Sequence, residues 1–233
     1  IGQSALKLKS GKYIFESLKN YLSENNKIND KWKALNILSN NASTVGSYDL
    51  DLLSRNGDEN NTQKSIKENN FEIIFLFGQD NLNFKKKDEF IVYIGSHGDK
   101  GAELANIILP GASFTEQEGH FTNLEGKIQK CYSASYPPGQ AKEDWVIINN
   151  LSELLKRKKL FNNKAELVDA MLNYLKLNKK ENNTIDTNFE FLSEKIVIDP
   201  IDYYFSNVIS RSSKTMIKCK SEKVKIEKTG TDG

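Results

Sequence analysis

The sequence has 233 residues, of which 38% are hydrophobic and 27% are charged, so it predicts a packed domain rather than a disordered chain. Its 33 basic residues nearly balance 31 acidic ones, and a formal charge of +2 argues against a dedicated nucleic-acid-binding protein. The longest apolar runs fall far short of the roughly 20 residues that cross a bilayer, so no membrane insertion is expected.

Cysteine usage excludes an iron–sulfur or zinc site built from this sequence alone. Cys131 and Cys219 lie far apart, and no Cys-x-x-Cys pair is present. His97 and His120 have no metal-type spacing relative to the cysteines. Clusters and structural zinc both need a complete set of Cys or His ligands. We therefore expect two unpaired thiols in a reducing compartment.

The N-terminal part of the sequence predicts two helices with a strand between them. Residues 12–24 have helical periodicity, residues 32–38 are a short apolar-rich run typical of a strand, and residues 42–53 are helix-like. Asn, Gly and Asp within residues 56–62 indicate a loop. The apolar face of the first helix consists of Ile14, Phe15, Leu18, Tyr21 and Leu22.

Three short apolar runs predict the central sheet. Residues 71–78 (FEIIFLFG), Phe90–Gly95 (FIVYIG) and residues 105–110 (ANIILP) are nearly continuous in apolar character. Such runs are typical of parallel strands buried on both faces. Because they alternate with helical or loop segments, the predicted fold class is α/β, with an open, mostly parallel sheet flanked by helices and right-handed crossovers.

The C-terminal part predicts two helices and a tail. Residues 137–139 (PPG) indicate a rigid turn before a helix over residues 141–155. Asn163 is the expected N-cap of the next helix, with Glu166 as its reciprocal partner. The apolar face of that helix is expected to consist of Leu167, Val168, Met171, Leu172 and Leu175.

The composition changes after these helices and suggests a domain boundary. We expect residues 1–177 to form an α/β domain that is incomplete by itself. Residues 178–188 are polar and rich in Asn, as in a linker, and open a segment of linker and tail over residues 178–233. That tail is expected to be extended across the domain surface and to finish disordered.

A glycine-containing loop, residues 95–101 (GSHGDKG), follows a predicted strand and raises the question of phosphate binding. His97 stands where a dinucleotide fingerprint requires its second Gly. A P-loop requires Lys and Ser or Thr, whereas Gly101 is followed by Ala and Glu. The sequence therefore predicts a tight loop whose glycines adopt positive φ.

Other acidic and basic groups give no convincing catalytic set. His97 with Asp99 is a conceivable base with an orienting acid, and Glu116, Glu118 and Glu125 are conceivable paired carboxylates. No nucleophile is evident near them, and solvated loops explain them as well. We predict no catalytic, cofactor-binding or metal-ligating residue in this sequence.

Two lysine-rich stretches predict solvated surface. Lys85, Lys86 and Lys87 form a short run in a loop. The C-terminal stretch is also expected to be solvated, with contact to an acidic partner surface as the alternative. Its lysines are Lys214, Lys218, Lys220, Lys223, Lys225 and Lys228.

Several segments resemble the molybdopterin oxidoreductases and their relatives. Residues 97–102 (HGDKGA) and 105–112 (ANIILPGA) resemble a block in which a strand ending in Leu-Pro precedes a Glu-x-x-Gly loop and an Asn-x-Glu-Gly-Arg turn. The corresponding residues here are 116–119 (EQEG) and 123–127 (NLEGK).

Other segments narrow the resemblance to the large iron–sulfur subunit of respiratory complex I. Residues 137–139 (PPG) and 141–145 (AKEDW) are similar to that subunit's PPG and A-R-E-D-W pattern. Residues 209–216 (ISRSSKTM), followed by Lys218-Cys219, resemble its mitochondrial-type C-terminus. Segments 2–6 (GQSAL) and 32–38 (WKALNIL) occur in the expected order. The sequence departs from the family's pattern at four positions. Lys127 and Lys142 stand where the family has arginine, Asn106 where it has aspartate and His120 where it has threonine.

The resemblance implies a function as well as a fold. It implies a molybdopterin-oxidoreductase-like domain, without a molybdenum cofactor, in the peripheral arm of complex I at the matrix side of the mitochondrial inner membrane. The 2Fe-2S and 4Fe-4S clusters would be held by the N-terminal part of the large subunit, which lies outside this sequence, either in a separate polypeptide or in a preceding part of the same one. Expected partners are that part and other peripheral-arm subunits of NADH:ubiquinone reductase, with no nucleic acid.

Two other hypotheses remain at this stage. The chain could be one lobe of a catalytic molybdenum or tungsten enzyme such as a formate dehydrogenase, against which the PPG, EDW and ISRSSKTM segments argue. A free-standing nucleotide-binding protein would require a fingerprint loop that the sequence lacks.

Overall fold

The structure is a computed structural model that describes residues 1–29, 31, 34–52, 64–79, 85–178, 189–195 and 202–229. The predicted loop at residues 56–62 and nearly all of the predicted linker 178–188 lie outside these ranges. The helices are α1 (Gln3–Leu6), α2 (Gly11–Glu24), α3 (Thr44–Asp49), α4 (Lys100–Leu104), α5 (Asp144–Leu154), α6 (Lys164–Leu177), α7 (Val208–Ser212) and α8 (Lys214–Thr229). The strands are β1 (Ile73–Phe77), β2 (Phe90–Gly95), β3 (Ile107–Pro110), β4 (Gly119–Thr122) and β5 (Ile128–Cys131).

The three predicted apolar strands form one parallel sheet in the order β1-β2-β3. The register pairs Leu76 of β1 with Tyr93 of β2, and Tyr93 with Ile108 of β3. Mixed helices and a parallel sheet confirm the predicted α/β class. The hand of the crossovers stays a prediction.

One face of the sheet contains the hydrophobic core. Leu76, Ile91 and Tyr93 are almost fully buried, and the partly buried Ala102 and Leu104 of α4 pack against them. On the other face, Val92 and Ile94 of β2 are buried and Leu109 of β3 is half-buried. The prediction that all three strands are buried on both faces is therefore wrong for β1 and β3, because no described segment covers their outer side chains.

The chain divides into two compact units, and each is discontinuous in sequence. The first contains α1, α2, α3, the antiparallel hairpin β4-β5 and α6; the second contains the parallel sheet, α4, α5, α7 and α8. The division into residues 1–177 and 178–233 stays a prediction about folding domains.

Within the first unit, α2 confirms the predicted amphipathic helix. Ser10, just before the helix, donates its hydroxyl to the Leu192 carbonyl at 2.6 Å and accepts from the Leu192 N–H at 2.9 Å. The ring of Tyr13 contacts those of Phe189 and Phe191 edge-on, with centroids 5.6 and 5.5 Å apart. These contacts fasten residues 189–195 to α2.

Two other predictions for the first unit fail in part. Trp32 lies outside the described residues, and over residues 34–38 only Leu38 makes a β-bridge, to Gly2. Because α1 begins at Gln3, the bridge cannot extend into a ladder, so the predicted strand does not form there. The helix expected over residues 42–53 is confined to α3.

Helix α6 has the predicted N-cap. The side-chain oxygen of Asn163 accepts from the Glu166 N–H at 3.0 Å. The Glu166 carboxylate accepts from the Asn162 N–H at 2.8 Å, one residue before the expected reciprocal donor. The predicted apolar residues do share a face, but all of them are half-buried rather than buried.

The C-terminal segment is not an extended tail over residues 208–229. Asn207 caps α7 in a capping box with Ser210, and α8 follows directly. Lys220 of α8 contacts Asp202, and its Nζ lies 4.1 Å from the centroid of the Phe205 ring. The hydrogen bond from Lys220 lowers the pKa of Asp202. Local capping and these contacts favour helix over the predicted extended form.

Candidate assembly site at the parallel sheet

The loop that follows β2 is shaped by close packing rather than by left-handed backbone. The Tyr93 hydroxyl donates to the His97 carbonyl at 2.8 Å. A Cβ at Gly95 would lie 2.4 Å from that hydroxyl, and one at Gly101 would lie 2.2 Å from the Gln79 carbonyl oxygen. The prediction of positive φ at these glycines is wrong; glycine is required here for space.

Asp99 of the same loop pairs with Arg211 of α7. The carboxylate accepts from the Nε–H of Arg211, and the two side chains are only 25% and 19% exposed. The two residues are 112 positions apart in sequence. Each lies in a segment with family character, but neither segment by itself reveals the pairing. Sequence reasoning missed this pair.

The acid–base hypothesis for His97 and Asp99 receives no support from this geometry. His97 Nδ1 lies 3.0 Å from the Ser96 hydroxyl, whereas Asp99 contacts Arg211. Glu116 accepts from the Ser113 N–H at 2.9 Å, and Glu125 is exposed in the β4-β5 turn. The structure does not bring these predicted candidates together as one site.

The family-like segment at residues 141–145 runs beside the end of β3. Gly111 and Lys142 form a parallel bridge, with the Lys142 N–H donating to the Pro110 carbonyl at 3.1 Å. Burial, with a smaller contribution from Glu143, raises the pKa of Asp144. A Cβ at Gly111 would lie 3.1 Å from Asp144 Oδ1, so glycine leaves room for this half-buried carboxyl group.

The lysine run before β2 is partly structural. Lys86 is half-buried, and its Nζ donates to the Leu104 carbonyl at 2.9 Å and to Asn106 Oδ1 at 2.6 Å. Asn106 Oδ1 also accepts from the Ile91 N–H at 2.9 Å. The prediction of a merely solvated run is therefore wrong for Lys86, which ties α4 and β3 to the central strand.

The sheet face opposite the hydrophobic core is only partly covered. Side chains at alternate positions share a sheet face. Phe75 and Phe77 stack with ring centroids 6.4 Å apart and are 43% and 41% exposed. We call this surface the phenylalanine face; its exposed members are Ile73, Phe75, Phe77, Phe90 and Ile107. Val92 and Ile94 of the same face are buried, so the exposed side chains cluster along β1. Exposed large apolar side chains in such a cluster indicate an interface.

The two cysteines lie on different elements. Cys131 is half-buried at the end of β5, and Cys219 is exposed on α8. Among the described residues, no three His, Cys, Asp or Glu side chains form a group that could hold a metal ion. In the same part of the chain, every helix is too short or too polar to cross a membrane.

Residues 1–154 match the molybdopterin oxidoreductase family. The chain belongs to that family. Residues 173–219 match the C-terminal region of the G subunit of NADH-ubiquinone oxidoreductase. The molybdopterin oxidoreductase match includes the whole parallel sheet and the AKEDW segment, and the G-subunit match includes Arg211.

Curated relatives agree with both matches. The chain is 36% identical over 232 residues to the NADH-ubiquinone oxidoreductase 75 kDa subunit of Reclinomonas americana, covering 95% of this chain and 33% of the relative. It is 35% identical to the G subunit of the NADH-quinone oxidoreductase of Rickettsia bellii, over 99% of this chain and 34% of the relative. The mitochondrial 78 kDa subunit of Candida albicans is 34% identical, with coverage of 98% and 34%. The chain thus spans about a third of the length of these relatives.

The family name implies a molybdopterin cofactor, whose chemistry differs from that of the described residues. Such a cofactor carries a metal and anionic phosphate, which favour metal ligands and unpaired cations. The end of the sheet instead presents Glu143 and Asp144, and the nearby guanidinium of Arg211 is paired with Asp99. Glu143, Asp144 and the paired Arg211 therefore do not fit the anionic phosphate of that cofactor.

Proposed function

We propose that this chain is a non-catalytic structural part of the peripheral arm of respiratory complex I. It would support electron transfer from NADH to ubiquinone through iron–sulfur clusters held elsewhere. The observation that carries the proposal is the paired match, to the molybdopterin oxidoreductases over residues 1–154 and to the G subunit of NADH-ubiquinone oxidoreductase over residues 173–219.

The phenylalanine face supplies the physical basis for an assembly role. A sheet with exposed large apolar side chains gains free energy when another segment covers it. We propose that the covering segment comes from the part of the large subunit that lies outside the region matched here, which spans about a third of the relatives. The family resemblance implies that this part holds the clusters. Further peripheral-arm subunits would contact the same assembly, at the matrix side of the mitochondrial inner membrane.

Native electrophoresis tests this proposal. The full chain is tagged in its source organism, and gently solubilised membranes are separated and stained for NADH dehydrogenase activity. We expect the tagged chain in the band of complex I, together with a polypeptide that carries the cluster-binding cysteines. A chain that migrates in a separate assembly without NADH dehydrogenase activity would contradict the proposal.

Metal analysis distinguishes the rival function. A lobe of a catalytic formate dehydrogenase-like enzyme would copurify with stoichiometric molybdenum or tungsten and a pterin. The structural proposal predicts iron and sulfide in the purified assembly without either metal. The names of the curated relatives favour the NADH-linked complex over the rival.

A further inference from the structure

Helix α8 carries an excess of positive charge. The 16 residues of Lys214–Thr229 contain six lysines and two glutamates, a net charge of +4, while the whole chain carries only +2. The remainder of the chain is therefore slightly acidic. Such asymmetry within a nearly neutral protein indicates a surface that contacts charged material.

This helix is exposed over most of its described length. From residue 217 to residue 225 every side chain is exposed except the half-buried Lys220, which contacts Asp202 and Phe205. A solvated helix of this length is only marginally stable in water by itself, and lysines one turn apart repel each other. A partner with negative charge that contacts the outer side of α8 would therefore stabilise the helix.

An apolar stripe and a row of lysines run side by side on that outer surface. Ile217 and Val224 are 46% and 39% exposed and lie two turns apart on one side of the helix. Lys214, Lys218 and Lys225 follow at helical spacing beside them and extend over about 16 Å. Lys225 also contacts Glu222 at 2.7 Å, an exposed pair that a partner carboxylate could replace at little cost.

The composition of the helix favours a protein partner over nucleic acid or a membrane. Nucleic-acid surfaces use the guanidinium fork of Arg and stacking aromatic rings, and α8 contains neither Arg nor an aromatic residue. Surface-seeking membrane helices use Trp, Phe or Leu to insert, whereas the exposed large apolar side chains described over residues 214–225 are those of Ile217 and Val224.

We propose that α8 is a docking helix for the acidic surface of a neighbouring polypeptide. The lysine row would contact Asp and Glu side chains, and the Ile217–Val224 stripe would contact an apolar strip between them. This inference rests on the proposed function in one respect only: it takes the neighbour to be another subunit of the assembly in which the chain resides.

Zero-length cross-linking of the native assembly tests the inference. A carbodiimide joins Lys amines to carboxylates that are already in contact, without a spacer. We expect Lys214 or Lys218 to be joined to Asp or Glu of a second, sequenced polypeptide. We also expect these lysines to be acetylated at least about tenfold more slowly than Lys158 and Lys159, which are exposed in the same unit.

Charge variants provide the matched control. K214E/K218E should release the chain from the assembly at lower salt than the native protein, because repulsion replaces attraction. K158E/K159E should not, and K214R/K218R should retain the chain as the native protein does. The arginine variant distinguishes loss of charge from failure to fold.

Several outcomes would overturn the inference. One is acetylation of Lys214 and Lys218 as fast as that of the control lysines, and another is cross-links confined to this chain. Protection of Lys214 and Lys218 from acetylation by vesicles of phosphatidylcholine and phosphatidylserine would assign the helix to a membrane instead. Loss of that protection after nuclease treatment of the native assembly would assign it to a nucleic acid. If the chain fails to comigrate with complex I, the proposed function is wrong, and the same cross-linking applies to the assembly that holds the chain.

Discussion

Asp99 and Arg211 show how single residues connect distant family segments. The carboxylate lies in the loop after β2 and the guanidinium lies on α7, and both are largely shielded from water. Removal of one partner from an ion pair that is shielded from water costs more free energy than removal from an exposed pair, because water solvates the remaining charge poorly. The pair therefore fixes α7 beside the end of the sheet.

Replacement of Arg211 by Lys tests this connection. Lys lacks the planar fork that reaches Asp99 through Nε, so we expect a loss of about 1–3 kcal/mol in the local stability of α7. Hydrogen–deuterium exchange of the native assembly should show α7 amides exchanging roughly 5- to 160-fold faster, the equivalent of that free energy. R157K, at an exposed arginine, is the control and should leave exchange unchanged. Unchanged exchange in R211K would show that the pair contributes nothing.

At the scale of elements, the three strands of the parallel sheet have similar apolar sequences but differ in burial. All three are apolar runs, yet only β2 is buried on both faces. β2 is central and has neighbours on both sides, whereas β1 and β3 are edges of the described sheet. An apolar run thus predicts a strand correctly, while its burial depends on which segments cover the sheet.

The phenylalanine face predicts poor behaviour of the isolated chain. We expect the recombinant full chain to aggregate and to bind an apolar dye strongly, because large apolar side chains remain in water. F75S/F77S should reduce both dye binding and aggregation, and in the source organism it should reduce incorporation of the chain into complex I. F114S, at an exposed phenylalanine of the same unit, is the matched control and should do neither.

A cooperatively unfolding, monomeric native chain would contradict this expectation. So would normal incorporation of F75S/F77S, since a covered interface cannot accept two buried polar side chains without loss of affinity.

For the whole molecule, the two thiols lie on different units and at different depths. Cys131 ends β5 in the first unit, and Cys219 lies on α8 in the second. In the part of the chain that the structure describes, neither belongs to a group of three or more His, Cys, Asp or Glu side chains that could hold a metal ion. A thiolate without further ligands does not hold a cluster.

Substitution of both thiols tests the structural role of the chain. C131S/C219S should leave every iron–sulfur EPR signal of the purified assembly at its native position and intensity per complex. A signal that disappears while the polypeptide composition stays intact would place a cluster ligand in this chain and contradict the proposal. A matched serine substitution of one cluster-binding cysteine elsewhere in the assembly supplies the positive control.

The sequence does not predict the β4-β5 hairpin or the C-terminal helices. The NLEGK segment carries a family resemblance, but its role as a hairpin turn is not evident from that resemblance. Asn123 accepts there from the Glu125 and Lys127 N–H groups, and Gly126 adopts positive φ. For residues 208–229, polar and lysine-rich composition predicts an extended tail, whereas local capping at Asn207 produces helices.

The sequence by itself determined the α/β class, the three parallel strands and the family, because apolar runs and short motifs are local properties of the chain. Only the tertiary structure decided which sheet face is open, that glycines near the sheet provide space rather than left-handed backbone, and that Asp99 pairs with Arg211. Each of these depends on atoms from segments far apart in sequence. Their mutual distances are fixed by packing, and no local pattern records them.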